Sequence, residues 1–211
     1  MNAPACKKSV KSLAAALLLG CLTLACGACA TMLDPGPPPA RLQLHPALPK
    51  PQASPPVKKQ LVVALPVTGR ELDGDGITLI FNGREVRYLS GARWTGAVPH
   101  LLQRYFVEAF ESARVLVGVS DDVTGIVANA RLLTDVKMFG LSYPAEDAVP
   151  TACFSANFRL LDLYSGKMLD VRTIETRVPA GGKDYTALAQ ACEKALSAAL
   201  EQLTAWTKET L

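Results

Sequence analysis

Four of the six cysteines in this 211-residue chain lie within its first 29 residues, and their setting limits what the chain can fold into. Three lysines precede an uncharged apolar run, residues 13–25, which ends in alanine directly before Cys26. A basic start, a short apolar run and a small residue before a cleavage point are typical of a secretory signal. The run is shorter than the ~20 residues that a membrane-spanning helix needs. We therefore assign residues 1–25 to a signal segment outside the folded domain.

The cysteine after such a signal is the residue that bacterial lipoprotein processing acylates. Cys26 follows Leu24 and Ala25 at the end of the apolar run, so we predict a lipid anchor at Cys26. Cys29 and Cys21 are the alternatives, since each also follows a small residue. An ordinary cleaved signal peptide and an uncleaved anchor are the other interpretations, and a small residue followed by cysteine disfavours plain secretion.

The charges of the chain are balanced once the signal segment is set aside. The full sequence has 22 basic and 19 acidic side chains, and three lysines leave with the signal, which leaves 19 of each. Nucleic-acid binding requires a basic surface that neutralises phosphates. The sequence therefore predicts no nucleic-acid partner.

A proline-rich segment follows the predicted anchor. Residues 27–59 hold nine of the fifteen prolines, and proline removes a backbone donor and fixes φ. We predict a semi-rigid linker over residues 26–59 with a reach of about 100 Å, followed by a domain over residues 60–211. Inside the linker, the alternation of residues 41–45 indicates a short edge strand.

The remaining sequence predicts more strands than helices. Apolar runs separated by turn residues predict strands at 61–65, 77–81, 85–89, 115–119, 126–139, 151–164 and 168–178. Asn82-Gly83 is typical of a hairpin turn. Apolar spacing predicts a helix over 97–113 and a long last helix capped by Asp184. The order predicts an α+β (mixed α/β) fold, a single domain whose mostly antiparallel or mixed sheet is packed by two main helices.

Residues that could carry chemistry are few and scattered. His45 lies in the proline-rich segment, His100 lies on the polar side of the first helix, and Asp73-Gly74-Asp75 is best explained as a turn. We predict no catalytic residue, no cofactor and no metal site. Three classes of function remain at this point: an interaction protein, a lipid carrier with an internal apolar cavity, and an enzyme with an unrecognised site.

Cys153 and Cys192 are the two cysteines beyond the N-terminal region. In an oxidising compartment they can pair and close a loop of about 40 residues. The other interpretation is two separate buried thiols. The sequence does not choose between them.

Two short clusters are candidate partner contacts. The first is Arg93-Trp94, in which Trp94 is either a core anchor or an exposed contact. The second contains Phe139, Leu141 and Tyr143, in a segment that is either an apolar surface loop or a buried hairpin end. An exposed apolar loop would indicate a protein or lipid contact.

The order of these segments resembles a known family. A signal with a cysteine, a proline-rich segment, an opening strand, the segment Tyr88–Trp94 (YLSGARW) and a long last helix are similar to the ABC-type transport auxiliary lipoproteins, the PqiC-like family. The resemblance covers about residues 40–208.

It implies a three-layer α/β fold on the periplasmic face of the outer membrane. The expected partners are an MCE-domain protein and an inner-membrane ABC transporter (permease and ATPase). Together they move lipids or other apolar molecules. A homo-oligomer is compatible with the sequence.

Overall fold

The computed structural model describes residues 37–122 and 127–211. The predicted signal, Cys21, Cys26, Cys29 and the first part of the linker lie outside the described residues. Residues 39–211 form one compact unit. Within the described ranges, no helix is both long and apolar enough to cross a bilayer.

The described residues of this unit form nine strands, two helices and one short 3₁₀ turn, which confirms the α+β class. The strands are β1 Ala40–Leu42, β2 Val57–Val63, β3 Val67–Thr68, β4 Gly76–Phe81, β5 Glu85–Trp94, β6 Leu116–Asp121, β7 Ala130–Tyr143, β8 Thr151–Asp162 and β9 Met168–Pro179. The 3₁₀ turn spans Arg70–Leu72, and the helices are α1 Val98–Ala113 and α2 Tyr185–Thr210.

The long strand β7 organises the sheet. One edge of β7 pairs antiparallel with β8 along nearly its whole length, and β9 pairs antiparallel with β8. The other edge receives β2, β3 and β4 in turn, all parallel to β7. Beyond these, β6 pairs with β2, β5 with β4, and β1 with β5. The sheet is therefore mixed, as the sequence predicted.

Both helices pack on the same face of this sheet. Phe106 of α1 makes edge contacts with Phe154 and Phe158 of β8, at centroid distances of 6.5 and 5.5 Å. On the same side, the hydroxyl of Thr176 on β9 donates to the carbonyl of Ala195 on α2 at 2.7 Å. One buried cluster joins both helices to the strands. The fold has two layers, so the three-layer arrangement implied by the family resemblance is wrong for this chain.

Local sequence signals account for the main boundaries. Asn82 and Gly83 have φ values of 50° and 66°, the left-handed pair that a tight hairpin turn requires. The side chain of Asp184 accepts from the backbone N–H of Ala187 and so caps α2 as predicted. α1 begins with proline in its first turn, where a missing N–H costs nothing.

The folded unit begins about twenty residues before the predicted boundary at residue 60. β1 pairs with β5, and Leu44 is buried with its carbonyl accepting from the Tyr105 hydroxyl of α1 at 2.5 Å. The Ser112 hydroxyl donates to the Pro49 carbonyl, and the backbone N–H of Gln52 donates to the Ala113 carbonyl. Residues 40–56 are thus part of the domain, because the carbonyls of Leu44 and Pro49 accept hydrogen bonds from α1 and the N–H of Gln52 donates one to it.

Candidate functional site

A large bulge in β5 shapes the most informative surface of the domain. Tyr88 lies opposite Thr78 of β4, and Arg93 lies opposite Gly76. From Tyr88 to Arg93 β5 advances five residues, while β4 advances only two, from Thr78 to Gly76. Residues 89–92 therefore do not pair with β4. Gly91 adopts a φ of 72° there, and Ala92 pairs with β1 instead. Bulges of this kind redirect side chains next to functional sites.

The bulge separates the side chains of the YLSGARW segment into two groups. Ala92 and Trp94 are each 1% exposed, and Trp94 stacks on Phe139 at a centroid distance of 5.7 Å. Tyr88 is 53% exposed, and the Arg93 side chain is 51% exposed. The core interpretation of Trp94 is therefore confirmed, and the outward side of the segment consists of Tyr88 and Arg93.

Tyr88 and Arg93 line a cleft of about 300 Å³. Gly76 forms its floor, since a Cβ atom there would stand 2.7 Å from Cδ1 of the Tyr88 ring. Leu89 and Arg70 also line the cleft. An aromatic ring and two guanidinium groups around one opening can hold an apolar chain beside a carboxylate.

Asp75 fixes the position of Arg93. Its carboxylate accepts from Nη1 of Arg93 at 2.9 Å and also from Arg41 of β1. The hydrogen bonds from Arg93 and then from Arg41 hold the pKa of Asp75 below its ordinary value. The Asp75 carboxylate is thus engaged by two arginines. Among the described residues, no group of three acidic, cysteine or histidine side chains is placed to hold a metal.

A second cleft, of about 270 Å³, lies on the other side of Arg70. Its lining includes Leu65, which is 41% exposed, and Val67, which is 66% exposed. The Arg70 side chain has no ion-pair partner within the two described ranges. The residues of both clefts that face outward, Leu65, Val67, Arg70, Tyr88 and Arg93, are here called the Arg70 surface.

The sequence identified only part of this surface. Arg93 was a predicted contact, whereas Leu65 was assigned to the predicted strand at 61–65. Val67 and Arg70 were missed because they lie in elements of only two and three residues, which show no periodicity. The apolar Leu65-Pro66-Val67 after a buried strand was the one available signal.

The second predicted contact cluster is not on the surface. Phe139 and Leu141 are 1% and 0% exposed, and Tyr143 is 8% exposed. They belong to β7, which continues to Tyr143 where a loop was one interpretation. Tyr143 stacks on Phe81 at 4.7 Å, and Phe139 contacts Trp94 and Phe154. The buried interpretation is correct, because β4 and β8 both pair with this part of β7.

Cys153 and Cys192 are free, buried thiols in this structure. The neighbours of Cys153, Ala152 and Phe154, belong to the core under the helices, so strand alternation turns Cys153 to the opposite face of the sheet. Cys192 lies on α2 inside that core, where burial raises its thiol pKa to about 12. The sheet separates the two side chains, so of the two interpretations left open by the sequence, this structure contains the two separate buried thiols.

The remaining predicted features stay on the surface. His45 and His100 are both exposed. A third cleft, of about 290 Å³, is bordered by His45, Arg104 and Glu108. The three clefts open to solvent and carry charged side chains, unlike the enclosed apolar cavity of the carrier hypothesis.

Comparison with known proteins gives the family. The sequence profile of the ABC-type transport auxiliary lipoprotein component matches residues 42–204. Protein XCC0632 from Xanthomonas campestris, of the DUF330 family, has a similar crystal structure. It is 27% identical with a TM-score of 0.74, and the match covers 81% of this chain and 96% of that protein.

A second crystal structure, of an uncharacterized protein, shares the fold. It has 14% identity and a TM-score of 0.59, over 76% of this chain and 99% of the other. No curated protein matches the sequence. The profile spans most of the folded unit, from β1 to the last turns of α2. The chain belongs to the family of ABC-type transport auxiliary lipoprotein components.

Proposed function

We propose that this chain is a non-catalytic lipoprotein, anchored through Cys26 on the periplasmic face of the outer membrane. It serves an inner-membrane ABC transporter and its MCE-domain protein in moving lipids or other apolar molecules between membranes. Acyl chains on one residue support stable anchoring, since each buried CH₂ contributes about 0.8 kcal/mol. Gly27 and Ala28 follow Cys26, so the aspartate that retains many lipoproteins at the inner membrane is missing.

The Arg70 surface is the observation on which the docking role depends. Exposed apolar side chains at Leu65 and Val67 adjoin Arg70, whose charge has no partner among residues 37–122 and 127–211. Apolar area beside an unpaired guanidinium suits a protein partner that presents an apolar side chain next to a carboxylate. We propose that the MCE-domain protein supplies that contact.

Site-specific crosslinking tests this contact. A photo-crosslinking amino acid at Val67 in the full-length protein should link to the MCE-domain protein in cells, and Arg70→Glu should abolish the product. Arg84→Glu is the matched control, because Arg84 is an exposed arginine at the β4–β5 turn, outside both clefts. Equal crosslinking in both variants would exclude the Arg70 surface as the docking site.

Mass spectrometry of the protein purified from membranes tests the anchor separately. We expect acyl mass on a peptide that begins at Cys26, and release of the protein from the membrane fraction in Cys26→Ser. An unmodified amino terminus on the mature protein would refute the lipoprotein assignment of this residue, whatever the crosslinking result.

A further inference from the structure

The sheet face opposite the two helices, here called the helix-free face, carries two arginines near its centre. The even-numbered residues of β8 from 152 to 160 belong to the core under the helices, so the odd-numbered ones lie on the helix-free face. Arg159 of β8 is one of these, and it pairs with Leu133 of β7. Arg131 of β7 pairs with Leu161 of β8. The two arginines are therefore diagonal neighbours with backbones about 7–8 Å apart, close enough for both guanidinium groups to hold one small ligand.

Both arginines carry a buried donor without an acceptor. The Nε atoms of Arg131 and Arg159 are buried and have no hydrogen-bond partner in the described part of the chain. Neither side chain forms an ion pair within residues 37–122 and 127–211. The acid nearest to them in register on this face is Asp135, and it pairs with Lys137. Because a buried donor without an acceptor is costly, two such donors side by side indicate a bound acceptor.

A third donor belongs to the same face. Val62 of β2 pairs with Arg131 on one side and with Ser120 of β6 on the other, which places all three in one row across the sheet. Val62 is buried but does not belong to the core under the helices, as expected for this face. The Ser120 hydroxyl is buried and also lacks a hydrogen-bond partner among the described residues. Two positive charges and three available donors suit an anion.

The number of donors favours phosphate over carboxylate. A carboxylate has two oxygens, and a single guanidinium satisfies both in a bidentate pair. A phosphate ester offers up to three strong acceptor oxygens, so it can bind two guanidinium groups and a hydroxyl together. Arginine also suits a half-buried phosphate site better than lysine does, because its guanidinium is more weakly hydrated and matches the geometry of phosphate.

Apolar side chains surround the two arginines. Leu133 and Leu161 are the other two members of the four-residue square, and both are half-buried. On β9, Val171 pairs with Arg159 and is 49% exposed, while Met168 pairs with Leu161 and is 46% exposed. An acyl chain attached to the phosphate can cover these side chains, whereas inorganic phosphate leaves them in water. A lipid phosphate should therefore bind more tightly than the free ion.

We propose that Arg131 and Arg159 bind one phosphate group on the helix-free face, with Ser120 as an additional donor. The shared chemistry is the phosphate, whether it belongs to a lipid headgroup or is free in solution, and the apolar surround favours the lipid. None of these three residues belongs to the Arg70 surface, which is built from β3, β5, the 3₁₀ turn and Leu65. The phosphate site therefore does not depend on the proposed docking contact or on the transport role.

Calorimetric titration of the full-length protein in an uncharged detergent tests the site with two probes, inorganic phosphate and dihexanoyl phosphatidic acid. We expect saturable binding of both, with the lipid at least about tenfold tighter. Equal affinities would keep the site and assign it to soluble phosphate. No saturable binding of either probe would overturn the proposal. Acetate that binds as tightly as inorganic phosphate would contradict the choice of phosphate.

Variants locate the site. Arg131→Gln and Arg159→Gln should each weaken both probes at least about tenfold, because each removes a charge-assisted hydrogen bond. Arg84→Gln is the matched control, since Arg84 is an exposed arginine at the β4–β5 turn, and it should bind both probes as the wild type does. Equal weakening in all three variants would refute the assignment to Arg131 and Arg159.

A measurement on the wild type covers the case in which a variant does not fold. A ligand that binds only the folded state shifts unfolding to higher denaturant concentration. Inorganic phosphate should therefore raise the urea midpoint of the full-length protein, and acetate at the same ionic strength should not. Identical midpoints in the two salts would count against the phosphate site independently of any substitution.

Discussion

The ring of Tyr88 lies directly on Gly76, so a Cβ atom at position 76 would stand 2.7 Å from Cδ1 of the ring. Real Cβ atoms are not found so close to a neighbouring atom, so any larger residue at position 76 must move the ring. This contact joins the floor of the cleft to its aromatic wall. The Arg70 surface therefore depends on a glycine that has no side chain of its own to present.

We expect Gly76→Ala to displace Tyr88 and to reduce crosslinking from Val67 to the MCE-domain protein severalfold. The domain should stay folded, because Tyr88 is half-exposed and has room to move outward. Gly74→Ala is the control, since a Cβ atom there would meet only a backbone nitrogen at 4.0 Å. If Tyr88 is shown to have moved in Gly76→Ala and crosslinking from Val67 is unchanged, the Tyr88 ring does not take part in partner binding.

Trp94 and Arg93 should differ sharply in their effect on stability. Trp94→Ala removes a fully buried ring that stacks on Phe139, and we expect a loss of about 3–5 kcal/mol in the free energy of unfolding. Arg93→Ala removes half-exposed ion pairing and should cost less than about 1 kcal/mol. Urea unfolding followed by circular dichroism measures both. Similar losses in the two variants would contradict the assignment of Trp94 to the core.

Acid should remove the stabilisation that Asp75 provides. The arginine hydrogen bonds lower the pKa of Asp75 in the folded state below its ordinary value of 3.8. The carboxylate therefore stabilises the fold above the unfolded pKa, and this contribution is lost as the pH falls through the lowered folded pKa. The difference in unfolding free energy between wild type and Asp75→Asn should be full near about pH 7 and smaller near about pH 3. Urea titrations at both values test this, and a constant difference would show that the carboxylate charge is not responsible.

The two buried thiols should remain unreactive in the folded protein. Burial raises the pKa of Cys192 to about 12 and also raises that of Cys153, so little thiolate is present near neutral pH. Iodoacetamide should modify neither residue in native protein and both in urea, as read by peptide mass spectrometry. A disulfide-linked pair of peptides containing Cys153 and Cys192 in unreduced protein would contradict the observed placement.

Turn and cap residues made much of the fold predictable. Asn82-Gly83 predicted the β4–β5 hairpin, because few other residue pairs adopt positive φ values at two successive positions. Asp184 gave the start of α2 because its carboxylate satisfies a backbone donor that the helix leaves open. These effects act within a few residues, so one sequence is enough to detect them.

Features that depend on distant partners were harder to predict. The end of β7 has buried residues in succession, 139–141, after a bulge near Lys137, so the two-residue period that marks a strand is lost. The bulge in β5 lies where Ala92 pairs with Ala40 of β1, a partner 52 residues away in the sequence. The clefts around Arg70 are lined by residues of the bulged strand β5, of β3 and of the 3₁₀ turn. These segments are distant in the sequence, so no local pattern predicts the clefts.

The early start of the folded unit shortens the connection to the proposed lipid anchor. Because residues 40–56 pack on the domain, only residues 27–39 separate Cys26 from β1. Thirteen residues span at most about 45 Å when fully extended, against about 100 Å for the linker first expected. Under the proposed function, a domain held that close to its bilayer cannot itself carry cargo across the periplasm. The proposed partners would then have to bridge the remaining distance.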